Sequence, residues 1–298
     1  MVELKGIIPA LVTPVNAAGE IAVKPLERLL ERLYAAEVDG MYICGQTGEG
    51  LLQTVPMREL VTEVAIRSAP AGKINIVHVG AHRPDDAVHL AKHARSIGAD
   101  AVSSLPPLGG YGFDEVRGYY ERIAAAADLP VLVYYFPEVA PAIRTMEQIE
   151  ELCAIPGVVG LKFTDFDLYR LSRLTLRGRT VFNGRDEVLA AGMLMGACGG
   201  IGTFYNLLPE GFVDVYRRSL AGDWAGARKT QDRINDLIEI TLRFPVFAAV
   251  KKMLAWSGID CGNCMAPRRA LTSGEEEALR SALQNAGFDA LIASAAAC

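Results

Sequence analysis

No stretch of this chain is long and apolar enough to span a bilayer, and its start, MVELKGIIPALVTP, lacks a basic region followed by a long apolar core and a small-residue cleavage site. The expectation is a cytoplasmic protein with no membrane partner. Positive charge is not in excess either: 30 Lys and Arg stand against 35 Asp and Glu, a net of -5, which offers no electrostatic footprint for nucleic acid. A small molecule is the expected partner. Cysteine is sparse, six residues scattered through 298, far from the density of a disulfide scaffold. Cys44, Cys153 and Cys198 sit in apolar segments as small buried thiols. The one close pair, Cys261 and Cys264 in CGNC, has no two further ligands nearby for zinc and does not open a helix as a redox pair would, so no metal is expected. Neither GxGxxG nor GxxxxGK[ST] follows the first apolar run, which counts against an open doubly wound sheet.

What the chain does have is a regular alternation. With 51% hydrophobic and 22% charged residues it carries apolar material for a large core. Apolar runs at 6–14, 40–45, 74–80, 101–106, 130–136, 158–163, 180–184 and 199–205 read as eight strands, with helical patterns between them. One of these, PDDAVHLAKHARSIG, sets Ala87, Leu90, Ala91, Ala94 and Ile97 on one stripe with Gly98 as a stop. Strands spaced by about 20 to 35 residues are what an α/β fold of the (β/α)8 TIM barrel type, roughly 250 residues long, requires. After Gly222 the strands cease, and DWAGARKTQDRINDLIEITLRF, PVFAAVKKMLAWSG and SGEEEALRSALQNAG predict three more helices. The expected organisation is a barrel over residues 1–222 that carries the active site, and a C-terminal three-helix extension over 223–298 packed outside it.

One residue breaks the apolar pattern. GVVGLKFTD, residues 157–165, sets Lys162 in a run that otherwise reads as a buried strand. Desolvating an ammonium costs several kcal/mol unless it is paired or loses its proton, so a lysine there needs a chemical reason. Alternation puts Val159, Leu161 and Phe163 on one face and Gly160, Lys162 and Thr164 on the other, and the glycine beneath the lysine is expected to leave room for a ligand. A neutral buried amine can attack a keto carbon, and the imine so formed is an electron sink for breaking a neighbouring carbon–carbon bond. Bringing a lysine from about 10.4 to near 7 corresponds to roughly 4 to 5 kcal/mol of destabilisation of its ammonium form. The bland alternative is a lysine that snorkels from a strand end to solvent, the commoner fate of lysines at large. In such a barrel the chemistry sits at the C-terminal ends of the strands. CGQTGEG (44–50), YYFP (134–137), LKFTD (161–165), NGRDE (183–187) and IGTFYN (201–206) would then share one rim.

The GxTGE loop, a tyrosine three residues before a proline, a lysine 28 positions after that tyrosine, and GLKFTD with DLY behind it resemble the pyruvate-dependent class I aldolases of the dihydrodipicolinate synthase and N-acetylneuraminate lyase superfamily. FTDFDLY, NGRDE and GGIGTFYN resemble its N-acetylneuraminate lyase branch, and the likeness runs from about residue 6 to 270. It implies a lyase that splits N-acetylneuraminate reversibly into pyruvate and N-acetylmannosamine. It implies no cofactor beyond a covalent imine between Lys162 and the 2-oxo acid, and a homotetramer. Two other readings stand beside it: another pyruvate-linked aldolase or dehydratase acting on a 2-oxo-3-deoxy sugar acid, and a non-catalytic barrel that binds a sugar acid.

Residue by residue, the resemblance makes Lys162 the nucleophile and Tyr134 the proton carrier, since a phenol near both imine nitrogen and substrate hydroxyl can pass a proton between them. Tyr135, facing the other way, reads as a core aromatic whose hydroxyl bonds to backbone. Thr47 and the N–H groups around Gly48 are expected to hold the substrate carboxylate, while Glu49 reads as a first-turn acid. Gln46 departs from the family's serine or threonine: an amide can donate to a carboxylate but cannot relay a proton as a hydroxyl does. Thr164, Gly184, Asp186, Glu187 and Thr203 are implied contacts to a polyhydroxylated chain. Asp186 and Glu187 read almost as well as helix-start acids, and Phe247 as either a wall of the site or plain core. Val139 stands where the dihydrodipicolinate synthase branch carries an arginine after strand five. Leu108 and Gly109 replace a tyrosine pair of several relatives, leaving Tyr111 nearby. His89 and His93 read as a solvated helix face, His78 as a barrel layer or the rim, and Arg268 and Arg269 as surface charge.

Overall fold

Side chains alternate along every strand, so a sheet rolled into a tube sorts its apolar residues into an inner and an outer population. The computed structural model describes residues 2–291. Eight parallel strands, β1 (Gly6–Pro9), β2 (Gly40–Ile43), β3 (Ile74–His78), β4 (Ala101–Ser104), β5 (Val131–Tyr135), β6 (Val158–Phe163), β7 (Thr180–Asn183) and β8 (Gly199–Gly202), pair in the order β1-β8-β7-β6-β5-β4-β3-β2. Helices α1 (Val23–Ala35), α2 (Val55–Arg67), α3 (Pro84–Ser96), α4 (Phe113–Ala127), α5 (Met146–Cys153), α6 (Leu168–Leu176), α7 (Leu189–Leu194) and α8 (Pro209–Leu220) follow the strands in turn. The expected (β/α)8 TIM barrel is therefore the fold.

The tube closes between β1 and β2, where Leu11 N–H donates to Tyr42 O at 2.9 Å and Asp39 N–H to Ile7 O at 2.8 Å. Asp39 Oδ2 adds an acceptor for Ile7 N–H at 2.6 Å, and Gly6, at φ +97°, has no Cβ to collide with that carboxylate. Ile8, Tyr42, Ile76, Leu132, Tyr134, Phe182 and Ile201 fill the interior. Ile7, Ile43, Val77, Val133, Leu161 and Phe163 face outward onto helix residues such as Leu26, Leu90, Ile123 and Leu171. Each such fully buried aliphatic side chain stabilises the fold by about 1.5 to 3 kcal/mol, so the two layers together hold the barrel rigid beneath its loops.

The helical stripe predicted on α3 is buried at Ala87, Leu90, Ala91 and Ala94, and Gly98 takes φ +90° where the helix stops. Strand β1 is shorter than the apolar run 6–14: Ala10 still bridges Tyr42, and past that bridge the Asn206 side chain satisfies the backbone in place of a neighbouring strand. The Asn206 amide accepts from Val12 N–H at 3.1 Å and donates to Ala10 O at 2.7 Å. Two expectations for β6 are corrected. The register with β5 shifts between Val131 and Leu132, so Val159 packs on the inner cluster instead of sharing a face with Leu161 and Phe163. Gly160 does not open space for a ligand: a Cβ there would collide with the Thr180 carbonyl, so the glycine admits strand β7.

Past Gly222 come the three predicted helices, α9 (Trp224–Thr241), α10 (Val246–Trp256) and α11 (Ser273–Asn285). Asp223 caps α9 by accepting Gly226 N–H at 2.9 Å, and Thr272 with Glu275 forms a capping box at α11. The segment between α10 and α11 reaches back over the loop after β2, where Met265 N–H donates to Glu49 Oε2 at 2.6 Å. Among the described residues, no helix is long and apolar enough to cross a membrane. Cys298 lies outside the described residues.

Candidate active site

In β6, Lys162 lies in register with Tyr134 of β5 on one side and Phe182 of β7 on the other, all three on the inner face. Its Nζ stands 4.1 Å from the centroid of the Tyr134 ring and 4.2 Å from that of Tyr42. With Lys162 only 3% exposed, burial brings its amine down to about 7, against the opposing pull of the Asp186 carboxylate. A large part of this amine is therefore neutral at physiological pH. Asp186, in the turn after β7, is pushed up to about 7 by burial, despite accepting Phe204 N–H at 2.7 Å, with Glu187 adding to the rise.

Burial also holds the Tyr134 phenol protonated, its pKa well above the usual range, with Thr164 offsetting part of the rise. A protonated phenol beside a neutral amine is a donor in place for proton transfer. Phe136 stacks on Tyr134 with ring centroids 6.0 Å apart. Below them His78 stays neutral, held well under its usual pKa by burial, then by Arg58 and Lys162; its Nε2 accepts Leu105 N–H at 3.0 Å. The histidine thus belongs to the barrel interior.

Above Lys162 lies a cavity of about 270 Å³. Gln46, Thr47, Tyr134, Lys162, Thr164, Gly184, Asp186, Glu187, Thr203 and Phe247 all line it. Thr47 and Thr203 share a hydroxyl–hydroxyl bond of 2.6 Å across the rim. Thr164 Oγ1 is buried without a full hydrogen bond, and a Cβ on Gly184 would strike it, so the glycine makes room for this hydroxyl. Gly48 is not part of the lining. Its Cβ would meet Leu11 O at 2.7 Å, and its carbonyl accepts from Gln53 Nε2 at 2.6 Å, so it lets the loop pack against the chain behind it.

Sequence reasoning passed over Phe136, Arg185, Phe204 and Val246, which also line the cavity. Arg185 sits inside the NGRDE cluster and pairs with Glu138, its guanidinium 4.4 Å from the Phe166 ring centroid. The signal was its place between Gly184 and Asp186. Tyr111 is exposed and does not reach the cavity.

Several bland readings change. Glu49 is no helix acid but a buried residue at φ +59°, beside Lys251 at 3.2 Å. Arg268 is not free surface charge: it donates to Gln46 O at 3.2 Å and Gln46 Oε1 at 3.3 Å, whereas exposed Arg269 pairs with Glu275. Tyr135 has its hydroxyl bonded by Arg170 instead of backbone. His89 and His93 meet Glu59 at 2.7 Å and Glu63 at 3.1 Å, tying α3 to α2. The described cysteines are free thiols, and no group of three or more His, Cys, Asp or Glu among the described residues could hold a metal ion.

The model of the dihydrodipicolinate synthetase family matches residues 3–286. The chain belongs to this family. Within it, the chain stands with the N-acetylneuraminate lyase branch. It is 33% identical over 261 residues to the N-acetylneuraminate lyase of Citrobacter koseri, covering 86% of this chain and 88% of that protein. It is 32% identical over 287 residues to that of Rhizobium meliloti, covering 94% and 95%. Among solved structures, the wild-type sialic acid aldolase of Ruminococcus gnavus superposes with a TM-score of 0.90 at 27% identity, covering 96% of this chain and 98% of its own. That aldolase has also been solved as a catalytic lysine mutant, with a TM-score of 0.91 at 27% identity, covering 97% and 99%. Membership of the family makes the protein a lyase of the class I aldolase type.

Proposed function

We propose that the protein cleaves N-acetylneuraminate reversibly to pyruvate and N-acetylmannosamine through an imine on Lys162. The observation that carries this reading is the buried Lys162 amine at about 7, facing Tyr134 under a cavity. The catalytic lysine of the Ruminococcus gnavus aldolase and the lyase names of the relatives support it. In this reading the amine attacks the C2 keto carbon and water leaves to give a protonated imine. The C4 hydroxyl loses its proton by way of Tyr134, the C3–C4 bond breaks, and its electron pair passes to the imine as an enamine. N-acetylmannosamine leaves, C3 takes up a proton, and hydrolysis frees pyruvate and the lysine. No cofactor is needed.

Thr47 and the loop around it would hold the carboxylate, and Thr164, Asp186, Glu187 and Thr203 the sugar hydroxyls, with Gly184 and Phe247 shaping the cavity. The family resemblance supports homotetrameric assembly, and the lack of a long apolar run or signal-peptide pattern supports a cytoplasmic setting. Pyruvate release from N-acetylneuraminate, run beside borohydride trapping with pyruvate, tests the reading; turnover with a trapped adduct is expected. Trapping without turnover would move the assignment to an aldolase or dehydratase of a 2-oxo-3-deoxy sugar acid. Gln46 favours that second reading, because an amide stands where a hydroxyl would relay protons. Sugar-acid binding with neither trapping nor turnover would make the barrel a binding protein.

A further inference from the structure

The loop that carries Gln46 and Thr47 is backed by charge. Glu49, its side chain 1% exposed, lies 3.2 Å from Lys251 Nζ and 3.9 Å from Arg268 Nη1. Its other oxygen accepts Met265 N–H at 2.6 Å, and Lys251 Nζ also donates to Asn263 O at 3.0 Å. Two cations against one carboxylate leave one positive charge without an ion-pair partner, shared between buried Lys251 and the partly exposed Arg268. Asp260 lines the same outer cleft as Lys251, but among the described residues no carboxylate other than Glu49 forms an ion pair with either cation. Lys252 is matched by Glu276 at 2.8 Å, and burial pushes the Cys261 and Cys264 thiols up to about 12 and about 11, so both stay neutral.

Arg268 turns this charge toward the cavity. Its guanidinium lies 3.8 Å from the Phe247 ring centroid and donates to both the backbone and the side-chain oxygen of Gln46. A guanidinium has only donors, so the amide oxygen must face it and the Gln46 N–H2 must face away. Gln46, Thr47 and Phe247 all line the cavity over Lys162.

We propose that Arg268 is a positioning residue for the carboxylate of the 2-oxo acid. It locks the Gln46 amide with its donors toward the substrate and, with Lys251 and Glu49, stands one uncompensated positive charge behind them. A hydroxyl at this position would turn to donate or accept; the clamped amide only donates. The subsite therefore selects an ionised carboxylate over its neutral ester. The inference rests on the imine reading above and gives it a specificity determinant outside the barrel.

The test compares borohydride trapping of pyruvate with trapping of methyl pyruvate. Arg268→Gln is expected to raise the half-saturating pyruvate concentration about tenfold, the scale of one lost charge-assisted hydrogen bond, while the methyl ester and the maximal extent of trapping change less than about twofold. Arg268→Lys keeps the charge without the fork and should fall between. Gln46→Ala, which leaves the ionic cluster whole, should show the same pyruvate-selective loss, and adding Arg268→Gln to it should cost little more. Equal weakening of pyruvate and ester in both single variants would mark a structural role and overturn the proposal, as would unchanged half-saturation in Gln46→Ala. A wild-type protein that traps neither compound would instead sink the imine reading, and this inference with it.

Discussion

Two lysines of this protein are equally buried, each 3% exposed, and they are held in opposite ways. Lys251, on α10, faces Glu49 at 3.2 Å and donates to a backbone carbonyl, so its ammonium has replaced water with partners. Lys162, on β6, has two aromatic faces and one carboxylate, Asp186, felt through space. Ring faces favour an ammonium only modestly, by about 2 kcal/mol at best when desolvated, and burial outweighs them. Burial by itself does not make a nucleophile; burial without a carboxylate in ion-pair contact does. Lys251 stiffens the frame while Lys162 is left able to react.

The sharpest way to break this contrast is to remove Lys162. Lys162→Met is expected to abolish the borohydride adduct with pyruvate, read by intact mass, and to lower turnover by about 10⁴-fold or more. A persisting adduct would put the nucleophile elsewhere. The same variant has a second signature in stability. Unfolded, the lysine titrates near 10.5; folded, near 7, so between those values the unfolded chain binds the extra proton. Wild-type stability therefore rises across that window, and a penalty on the order of 5 kcal/mol is full below pH 7 and gone above 10.5. Urea unfolding should find Lys162→Met most advantaged over wild type at pH 6 and least at pH 10.

Removing Lys251 should do the reverse. Lys251→Met leaves buried Glu49 with the Met265 N–H and, as its remaining cation, Arg268 at 3.9 Å. The expected loss is about 3 kcal/mol of stability by urea denaturation, with trapping retained in the folded fraction. A Lys251→Met protein as stable as wild type would show that this pair carries no structural weight. The smallest effect belongs to Asp186→Asn. An ionised Asp186 raises the Lys162 pKa, so its removal should move the acid limb of the pH–trapping profile down by less than about one unit. An upward move would contradict the electrostatic account.

Much of the candidate site was legible in advance because the barrel turns a sequence pattern into a place. A polar cluster at the C-terminal end of an apolar run can only point to the rim, which is why residues from the loops after β2, β5, β6, β7 and β8 line one cavity. Lys162 was legible for the same reason, as the polar residue on the inner face of a buried strand. Val159 was not, because a register shift against β5 undoes strict alternation and leaves no mark in composition. Arg185 lies inside a motif in which the acids carry the clearer signal. Arg268 and Glu49 look ordinary beside their sequence neighbours, and their partners lie more than 200 residues away along the chain.

The amino-acid sequence by itself determined the eight-strand alternation, the helical extension and the presence of an expensive lysine in the barrel wall. Those follow from local rules: alternation, amphipathic spacing and the cost of desolvating charge. Only the tertiary structure decided which charges are paired. Glu49 meets the backbone of Met265 across 216 residues of chain, and Arg268 meets Gln46 across 222. Whether a buried cation is neutralised, shared or left reactive depends on groups within a few ångströms in space. No pattern along the chain specifies those distances until it has folded.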